Sequence, residues 1–123
     1  MPGSALYDFG DAIRSCGSTL EEDAQNLEDM DVDLERFEAY TKGYLEIMKD
    51  ELTAKELELL PMSAIIMTFE CGMRFLTDHL DGDTYFKVHK ENHNLIRAKN
   101  QYAFVKKMEE KLPLMEAIVK KYI

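Results

Sequence analysis

The histidines are the first residues whose types and spacing suggest chemistry. His89 and His93 lie four residues apart, so a helix would place both imidazoles on one face, with Glu91 between them. A zincin motif needs the glutamate directly after the first histidine, where this chain has Lys90. A catalytic zinc also needs a third ligand, which His79 would have to supply from another segment. We therefore interpret all three as ordinary polar or helix-capping histidines, with metal binding as the minor alternative.

The tripeptide Asp8-Phe9-Gly10 spells the sequence that holds Mg²⁺ in protein kinases. In those enzymes it works together with a Gly-rich loop, a strand lysine, an H-R-D catalytic loop and an A-P-E sequence. The 123 residues contain none of these, and no G-x-x-x-x-G-K-[ST] loop that would cradle phosphates. The tripeptide alone therefore indicates no nucleotide-binding function.

A charged row on an otherwise apolar segment is the third candidate. Glu70, Arg74 and Asp78 recur at i, i+4 and i+8, which places them on one side of a helix. One interpretation is a solvated ladder of ion pairs, each worth roughly 0.2–0.5 kcal/mol. The other is a cleft wall on which Arg74, aligned by the two acids, donates hydrogen bonds to ligand oxygens. The spacing alone favours the ladder.

Helices must position these residues, because helical spacing recurs along the chain and strand alternation is absent. Asp33 is a predicted N-cap, Thr53 and Glu56 form a predicted capping box, and Gly17 is a predicted stop signal. The sequence thus predicts an all-α fold of four or five helices. Their predicted ranges are 5–16, 33–52, 53–80, 92–111 and 114–122.

Two prolines and one apolar stretch refine this prediction. Pro61 lies inside the third helix and predicts a kink or a break there, and Pro113 is expected to end the fourth. Asn92 is a candidate cap for that fourth helix. Residues 62–69 are apolar on nearly every side, which predicts that the third helix is central and buried.

Composition sets the broad class of the protein. With 24 acidic residues against 15 lysines and arginines, the net charge is −9, which argues against a general nucleic-acid binder. Ser63, Thr68 and Glu70 interrupt the longest apolar run, so no membrane-spanning segment is expected. Two cysteines are too few for a disulfide framework and fit a reduced, cytoplasmic setting. Residues 1–123 are expected to form one helical domain.

Four separate stretches carry a resemblance to a known family. They are MPGSALYDFGDAIRS at 1–15, LTAKELELLP at 52–61, ECGMRFLTDHLDGDTYF at 70–86 and HKENHNLIRAKNQ at 89–101. Together they resemble the C-terminal part of the aminoglycoside phosphotransferase-like family, and most closely its N-acetylhexosamine 1-kinase branch. The resemblance covers nearly the whole chain, and it implies the helical C-terminal subdomain of a kinase-like fold.

Full-length members of that family transfer the γ-phosphoryl group of ATP to a hydroxyl of a sugar or an antibiotic. Their ATP-binding lobe, catalytic loop and Mg²⁺-binding aspartate all precede the stretch that resembles residues 1–15. The resemblance thus implies ATP and Mg²⁺ for a full-length relative, and no cofactor within these 123 residues. It also implies that this chain is inactive alone, since phosphoryl transfer depends on the metal and the base.

The resemblance assigns roles to three residues. Arg74 and Tyr85 match positions that contact the acceptor sugar, which favours the cleft-wall interpretation of Arg74. Tyr85 has an alternative role, packing beside Phe86 at a helix boundary. Asp8 matches the aspartate that starts a helix and braces the catalytic loop. Without that loop, Asp8 is expected to be a helix-start residue.

Two functions follow as hypotheses. The first is an acceptor-binding helical subdomain of an N-acetylhexosamine kinase-like phosphotransferase, inactive alone, with an amino sugar as its ligand. The alternative is a non-enzymatic helical module that binds another protein or forms a homo-oligomer. In relatives, the lobe that precedes this region would cover an apolar surface. Exposed in this chain, that surface would drive association, and the eight methionines could line it.

Overall fold

The computed structural model describes residues 2–84 and 92–123, with side chains described from Ala5 onward in the first range. Within those residues the chain is all-α and has no strand, which confirms the predicted fold class. One isolated β-bridge pairs Ser18 with Val32. The described residues form four α-helices, α1 (Pro2–Cys16), α2 (Leu34–Met48), α3 (Ala54–Leu80) and α4 (His93–Lys121), with short 3₁₀ turns at Leu27–Asp29 and Lys49–Glu51.

Local signals set three helix ends where the sequence predicts them. Asp33 caps α2 by accepting a 3.0 Å hydrogen bond from the backbone N–H of Arg36. Thr53 and Glu56 make both hydrogen bonds of the capping box at the start of α3, at 3.2 and 2.8 Å. Gly17 ends α1, and its N–H donates to a carbonyl of the last turn at 2.7 Å. These predictions are confirmed because caps depend only on neighbours along the chain.

Two helix starts differ from the prediction. Helix α1 begins at Pro2 rather than at residue 5, and proline is a residue type favoured in the first helical turn. Asp8, expected at a helix start, is therefore an exposed residue inside α1. Asn92 precedes α4, but its φ of 58° is left-handed, and its side chain makes no capping hydrogen bond within the described residues. Asparagine tolerates that backbone conformation better than most residues.

The two internal prolines do not interrupt their helices. Helix α3 runs without a break through Pro61, and α4 runs through Pro113 to Lys121, so the predicted separate last helix is the end of α4. Each proline removes one backbone hydrogen bond. Fully buried apolar side chains lie close to both, Leu60 beside Pro61 and Met115 beside Pro113. Burial of the helix face on both sides of a proline outweighs the lost hydrogen bond, because tertiary packing supplies most helical stability.

Helix α3 occupies the centre of the fold and packs against both α1 and α4. All four helices contribute to one apolar core. Its fully buried members include Phe9, Ile13, Phe37, Leu60, Ala64, Phe104, Met108 and Met115. The ring centre of Phe9 lies 5.2–6.1 Å from the ring centres of Phe37, Tyr40 and Tyr44, so aromatic packing joins α1 to α2.

Two glycines allow the neighbouring helices to approach α3 closely. A Cβ atom on Gly10 of α1 would lie 2.5 Å from the carbonyl oxygen of Ser63, which belongs to the backbone of α3. On the other side, a Cβ on Gly72 would lie 3.0 Å from the ring of Tyr102 in α4. These contacts fix how α1, α3 and α4 sit beside one another, and the candidate site lies between them.

Helix α3 is central as predicted, but one of its faces is exposed, which corrects the prediction that residues 62–69 are buried. Ile66 is 57% and Phe69 47% exposed. The sequence predicts no membrane-spanning segment, yet α3 is long and apolar enough, judged by length and composition alone, to cross a membrane. Half of the apolar 18-residue stretch of α3 is buried inside the fold. Buried core helices of soluble proteins are often equally long and apolar.

The segment 17–33 between α1 and α2 is attached to α4 by side-chain hydrogen bonds. The Asn100 amide donates to the carbonyl of Glu21 at 2.8 Å and to that of Ala24 at 3.1 Å. The buried His93 ring lies 3.2 Å from a carboxylate oxygen of Asp23. These bonds hold the intervening segment against the helices although it has little regular structure.

Candidate functional site

Helices α1, α3 and α4 border a cleft of about 370 Å³ that is rich in charged side chains. We call it the arginine cleft. Its walls carry three arginines and three acidic residues, namely Arg14, Arg74, Arg97, Asp11, Glu22 and Glu70. The close approach at Gly10 brings α1 to α3, which places Asp11 and Arg14 in the same cleft as Glu70 and Arg74 of α3.

Arg74 forms an exposed ion pair with Glu70, one turn earlier on α3. Its Nη2 donates to Glu70 Oε1 at 2.6 Å, and the two side chains are 56% and 44% exposed. Glu70 is the main cause of a raised pKa for Arg74, and a side-chain hydrogen bond with Tyr7 contributes. Arg74 therefore points toward Glu70 and retains surface that water or a ligand can reach.

Glu22 joins the other two arginines into one network. Arg14 donates to Asp11 at 3.1 Å and to Glu22 at 3.0 Å, while the Arg97 Nε lies 3.6 Å from the second oxygen of Glu22. Burial opposes the charge of Arg14 most strongly, yet its pKa is raised overall through Cys71 and the two carboxylates. Arg97 also lies over the Phe75 ring, with its guanidinium carbon 5.4 Å from the ring centre.

The charges lining the arginine cleft balance, since three arginines face three carboxylates. Such a surface offers hydrogen-bond donors and acceptors in similar number, which suits a neutral, hydroxyl-rich ligand better than a bare anion. Cys71 lies on the same wall, and burial raises the pKa of its thiol although Arg14 lowers it. A thiol with a raised pKa is a poor nucleophile at neutral pH. At neutral pH Cys71 is therefore expected to be a protonated thiol on this wall.

Arg74 also lines a second, larger cleft of about 700 Å³ on the other side of its helix face. Thr77, Asp81 and Thr84 are on the wall of this second cleft. Thr84 is the residue before Tyr85 in the sequence, and Tyr85 itself lies outside the described residues. The structure thus places one of the two predicted sugar-contacting residues, Arg74, between two clefts, and it does not test the other.

The predicted charged row does not act as one unit. Glu70 and Arg74 pair at the surface, whereas Asp78 is buried and accepts a 2.8 Å hydrogen bond from the Asn94 amide of α4. The same amide nitrogen is 3.0 Å from Asp83 in the turn that follows α3. Asp78 therefore ties α3 to α4, and Arg74 is aligned by a single acid of the row.

His79 and His93, the two histidines among the described residues, do not line the arginine cleft. His93 is buried against Asp23, and the His79 Nδ1 is 4.0 Å from Asp83. His89 lies outside the described residues, so its spacing to His93 is not tested. Across residues 2–84 and 92–123, no three histidine, cysteine or acidic side chains gather in a geometry that could hold a metal ion.

Sequence reasoning did not identify Arg14, Glu22 or Arg97 as members of the site. The i, i+3 spacing of Asp11 and Arg14 could have indicated an ion pair on α1. Nothing local indicates Glu22, because distant hydrogen bonds from α4 determine its position.

Compared with models of known protein families, the chain matches none. The acceptor-binding role of Arg74 therefore stays a prediction.

Proposed function

We propose that this chain is the acceptor-binding helical subdomain of an N-acetylhexosamine kinase-like phosphotransferase. The observation that carries the proposal is the position of Arg74, an exposed and oriented guanidinium on the wall shared by two clefts. Guanidinium groups present several donors in a fixed plane and suit ligand oxygens. The resemblance of residues 70–86 to sugar-binding relatives assigns the same residue to the acceptor.

An amino sugar is the ligand class that fits this proposal. The volumes of the two clefts, about 370 and 700 Å³, lie in the range of small-molecule sites. Balanced donors and acceptors can bond ring hydroxyls and an N-acetyl group without requiring a charged ligand. Tyr85 is proposed as a second contact, on the resemblance alone.

The same proposal holds that the chain binds without catalysing. Phosphoryl transfer is driven by the positioning of ATP, by metal ions and by a base that orients the hydroxyl. The 123 residues contain no recognisable nucleotide-binding motif. We therefore expect no ATP-dependent phosphorylation of N-acetylglucosamine or N-acetylgalactosamine by this chain alone. Robust turnover by the purified chain would contradict this part of the proposal.

The decisive experiment is calorimetric titration of N-acetylglucosamine and N-acetylgalactosamine into the wild type and Arg74→Ala. We expect Arg74→Ala to weaken binding about tenfold or more, since hydrogen bonds to charged groups contribute about 1.5–3 kcal/mol. The fold should survive, because Arg74 is exposed. Arg36→Ala is the matched control, since Arg36 is an exposed arginine paired with Asp33 on another helix. Absence of binding in the wild type, or equal loss in both variants, would reject the acceptor site.

The exposed apolar face of α3 favours a second candidate function, a helical interaction module. Ile66, Phe69 and Met73 are all about half exposed on one side of this helix. An apolar strip of this kind on a surface otherwise rich in charge is typical of a protein-binding face. This candidate requires a partner helix or surface and needs no small molecule.

A further inference from the structure

Helix α3 carries a second apolar row on the side opposite its core-facing residues. We call this row the outer seam, and its members are Leu59, Met62, Ile66, Phe69, Met73, Leu76 and Leu80. Six of the seven are 37–76% exposed, and Leu76 is half-buried. Fully buried residues such as Leu60 and Ala64 lie on the other side of the helix, in the core. Phe69 also contacts the Tyr102 ring of α4, at 5.7 Å between ring centres, but the seam as a whole keeps much of its apolar surface exposed.

The spacing of the outer seam is that of a coiled coil. Its members follow one another at intervals of three, four, three, four, three and four residues, which is three heptads with apolar a and d positions. In this register Leu59, Ile66, Met73 and Leu80 are a positions, and the others are d positions. A seam of this regularity matches a second helix, whose side chains would insert between its own.

We propose that the outer seam binds the outer seam of a second copy of this chain, with the two α3 helices antiparallel. In an antiparallel pair, a positions of one helix face d positions of the other. The register that overlaps the seams best sets Ile66 against Phe69 of the second copy and Met62 against Met73. Every facing pair from Leu59 to Leu76 is then apolar on both sides.

Charge at the ends of the seam favours the antiparallel orientation over the parallel one. Lys55 is an exposed residue in the d position before Leu59, and Asp81 is an exposed residue directly after Leu80. The antiparallel register sets Lys55 of one copy opposite Leu80 of the other, one residue from Asp81, so the lysine has a carboxylate near it at the end of the seam. A parallel pair would set Lys55 against Lys55 within the seam, where like charges repel.

An apolar groove beside the outer seam supplies space for the partner's side chains. It has a volume of about 230 Å³ and lies between α1 and α3, bordered by Leu6, Tyr7, Met62 and Ile66. In the proposed register, the groove faces the position of Phe69 in the second copy. An aromatic ring that enters such a groove is the kind of anchor that dominates interface energetics.

Sedimentation velocity over a concentration series tests the interface. The wild-type chain is expected to dimerise, and Ile66→Glu is expected to raise the dissociation constant at least about 100-fold, since the dimer would bury two unpaired carboxylates. Ile47→Glu is the matched control, because Ile47 is 79% exposed on α2, away from the outer seam, and should leave the dimer unchanged. A wild type that stays monomeric at about 1 mM, or that binds phosphatidylcholine vesicles as a monomer, overturns the proposal.

Cysteine cross-linking tests the orientation in a chain that carries Cys16→Ser and Cys71→Ser. The antiparallel register predicts that Met62→Cys and Met73→Cys chains form a disulfide when mixed. Neither variant should link to itself, because identical positions 62 or 73 would be about 16 Å apart along the axis, far beyond disulfide reach. Self-linking of both variants would indicate a parallel pair and overturn the proposed orientation.

This inference deepens the second candidate function by naming its partner, and its test is separable from sugar binding. A seam that fails to dimerise leaves the Arg74 titration interpretable, since Ile66 lines neither of the two clefts that Arg74 lines, although Met73 of the outer seam borders the larger one. A dimer without sugar binding would favour the interaction module alone.

Discussion

Arg14 and Arg74, both in the arginine cleft, differ in how firmly their partners hold them in place. Arg14 keeps only 18% of its side-chain surface exposed and bonds two carboxylates, so its guanidinium has little freedom to change partner. Arg74 is paired with Glu70 but remains 56% exposed. A charged donor that is oriented and still hydrated can exchange water for a ligand oxygen without leaving a buried charge unpaired. This difference is why Arg74 is the residue to mutate first.

Glu38 provides a pH-dependent prediction at the same scale. It accepts hydrogen bonds from Lys121 at 2.7 Å and from the Tyr122 hydroxyl at 2.6 Å, and these contacts lower the pKa of its carboxyl. A lowered pKa means that the attachment is present above the ordinary pKa of glutamate and is lost as pH falls through the lowered value. Carboxyl NMR should therefore show Glu38 titrating below about 4.3, the ordinary value.

Variants at the end of α4 identify the cause of that shift. Lys121→Met combined with Tyr122→Phe should move the Glu38 titration upward toward the ordinary glutamate range. Lys120→Met removes the neighbouring exposed lysine and should leave the Glu38 titration where it is. An unchanged Glu38 titration in the double variant would contradict the assignment.

At the scale of helices, capping rules and proline rules differ in how well they predict this fold. Asp33 and Thr53 cap helices as predicted, because each cap is complete within four residues. Pro113 does not end α4 as predicted, and of the kink or break predicted at Pro61 the break does not occur, because packing with residues far along the chain decides the cost of a proline. Sequence reasoning therefore succeeded where the deciding contact was local, and it divided α4 into two where the deciding contact was distant.

Gly10 and Gly43 allow a prediction about the contact between α1 and α3. Alanine normally stabilises a helix interior by up to about 1 kcal/mol relative to glycine. Gly43→Ala on α2 should show this gain, since nothing lies within 4 Å of the added Cβ. Gly10→Ala should instead lower the free energy of unfolding by about 1–3 kcal/mol, because its Cβ would meet the Ser63 carbonyl at 2.5 Å.

Urea denaturation of the two glycine variants measures this difference directly. The paired design separates helix propensity, which acts on both positions, from helix contact, which acts only on Gly10. Equal stabilisation of both variants would mean that α1 does not approach α3 as closely as the structure has it.

At the scale of the whole molecule, the candidate site depends on contacts between distant parts of the chain. Arg74 could be selected from the sequence because its spacing to Glu70 is visible on one helix. Glu22 could not, since Asn100 fixes the carbonyl of its neighbour Glu21 from 79 residues away. The charged residues of the cleft thus come from α1, from segment 17–33, from α3 and from α4, which only the complete fold brings together.

The attachment of segment 17–33 to α4 has a thermodynamic consequence for recognition. Because Asn100 and His93 hold this segment in place, Glu22 stands in the cleft wall before any ligand arrives. The segment loses its conformational entropy when the chain folds. Ligand binding therefore does not have to order it, and the binding free energy is not reduced by that cost. A neutral ligand that makes few contacts loses the least binding free energy to ordering when the wall is already in place.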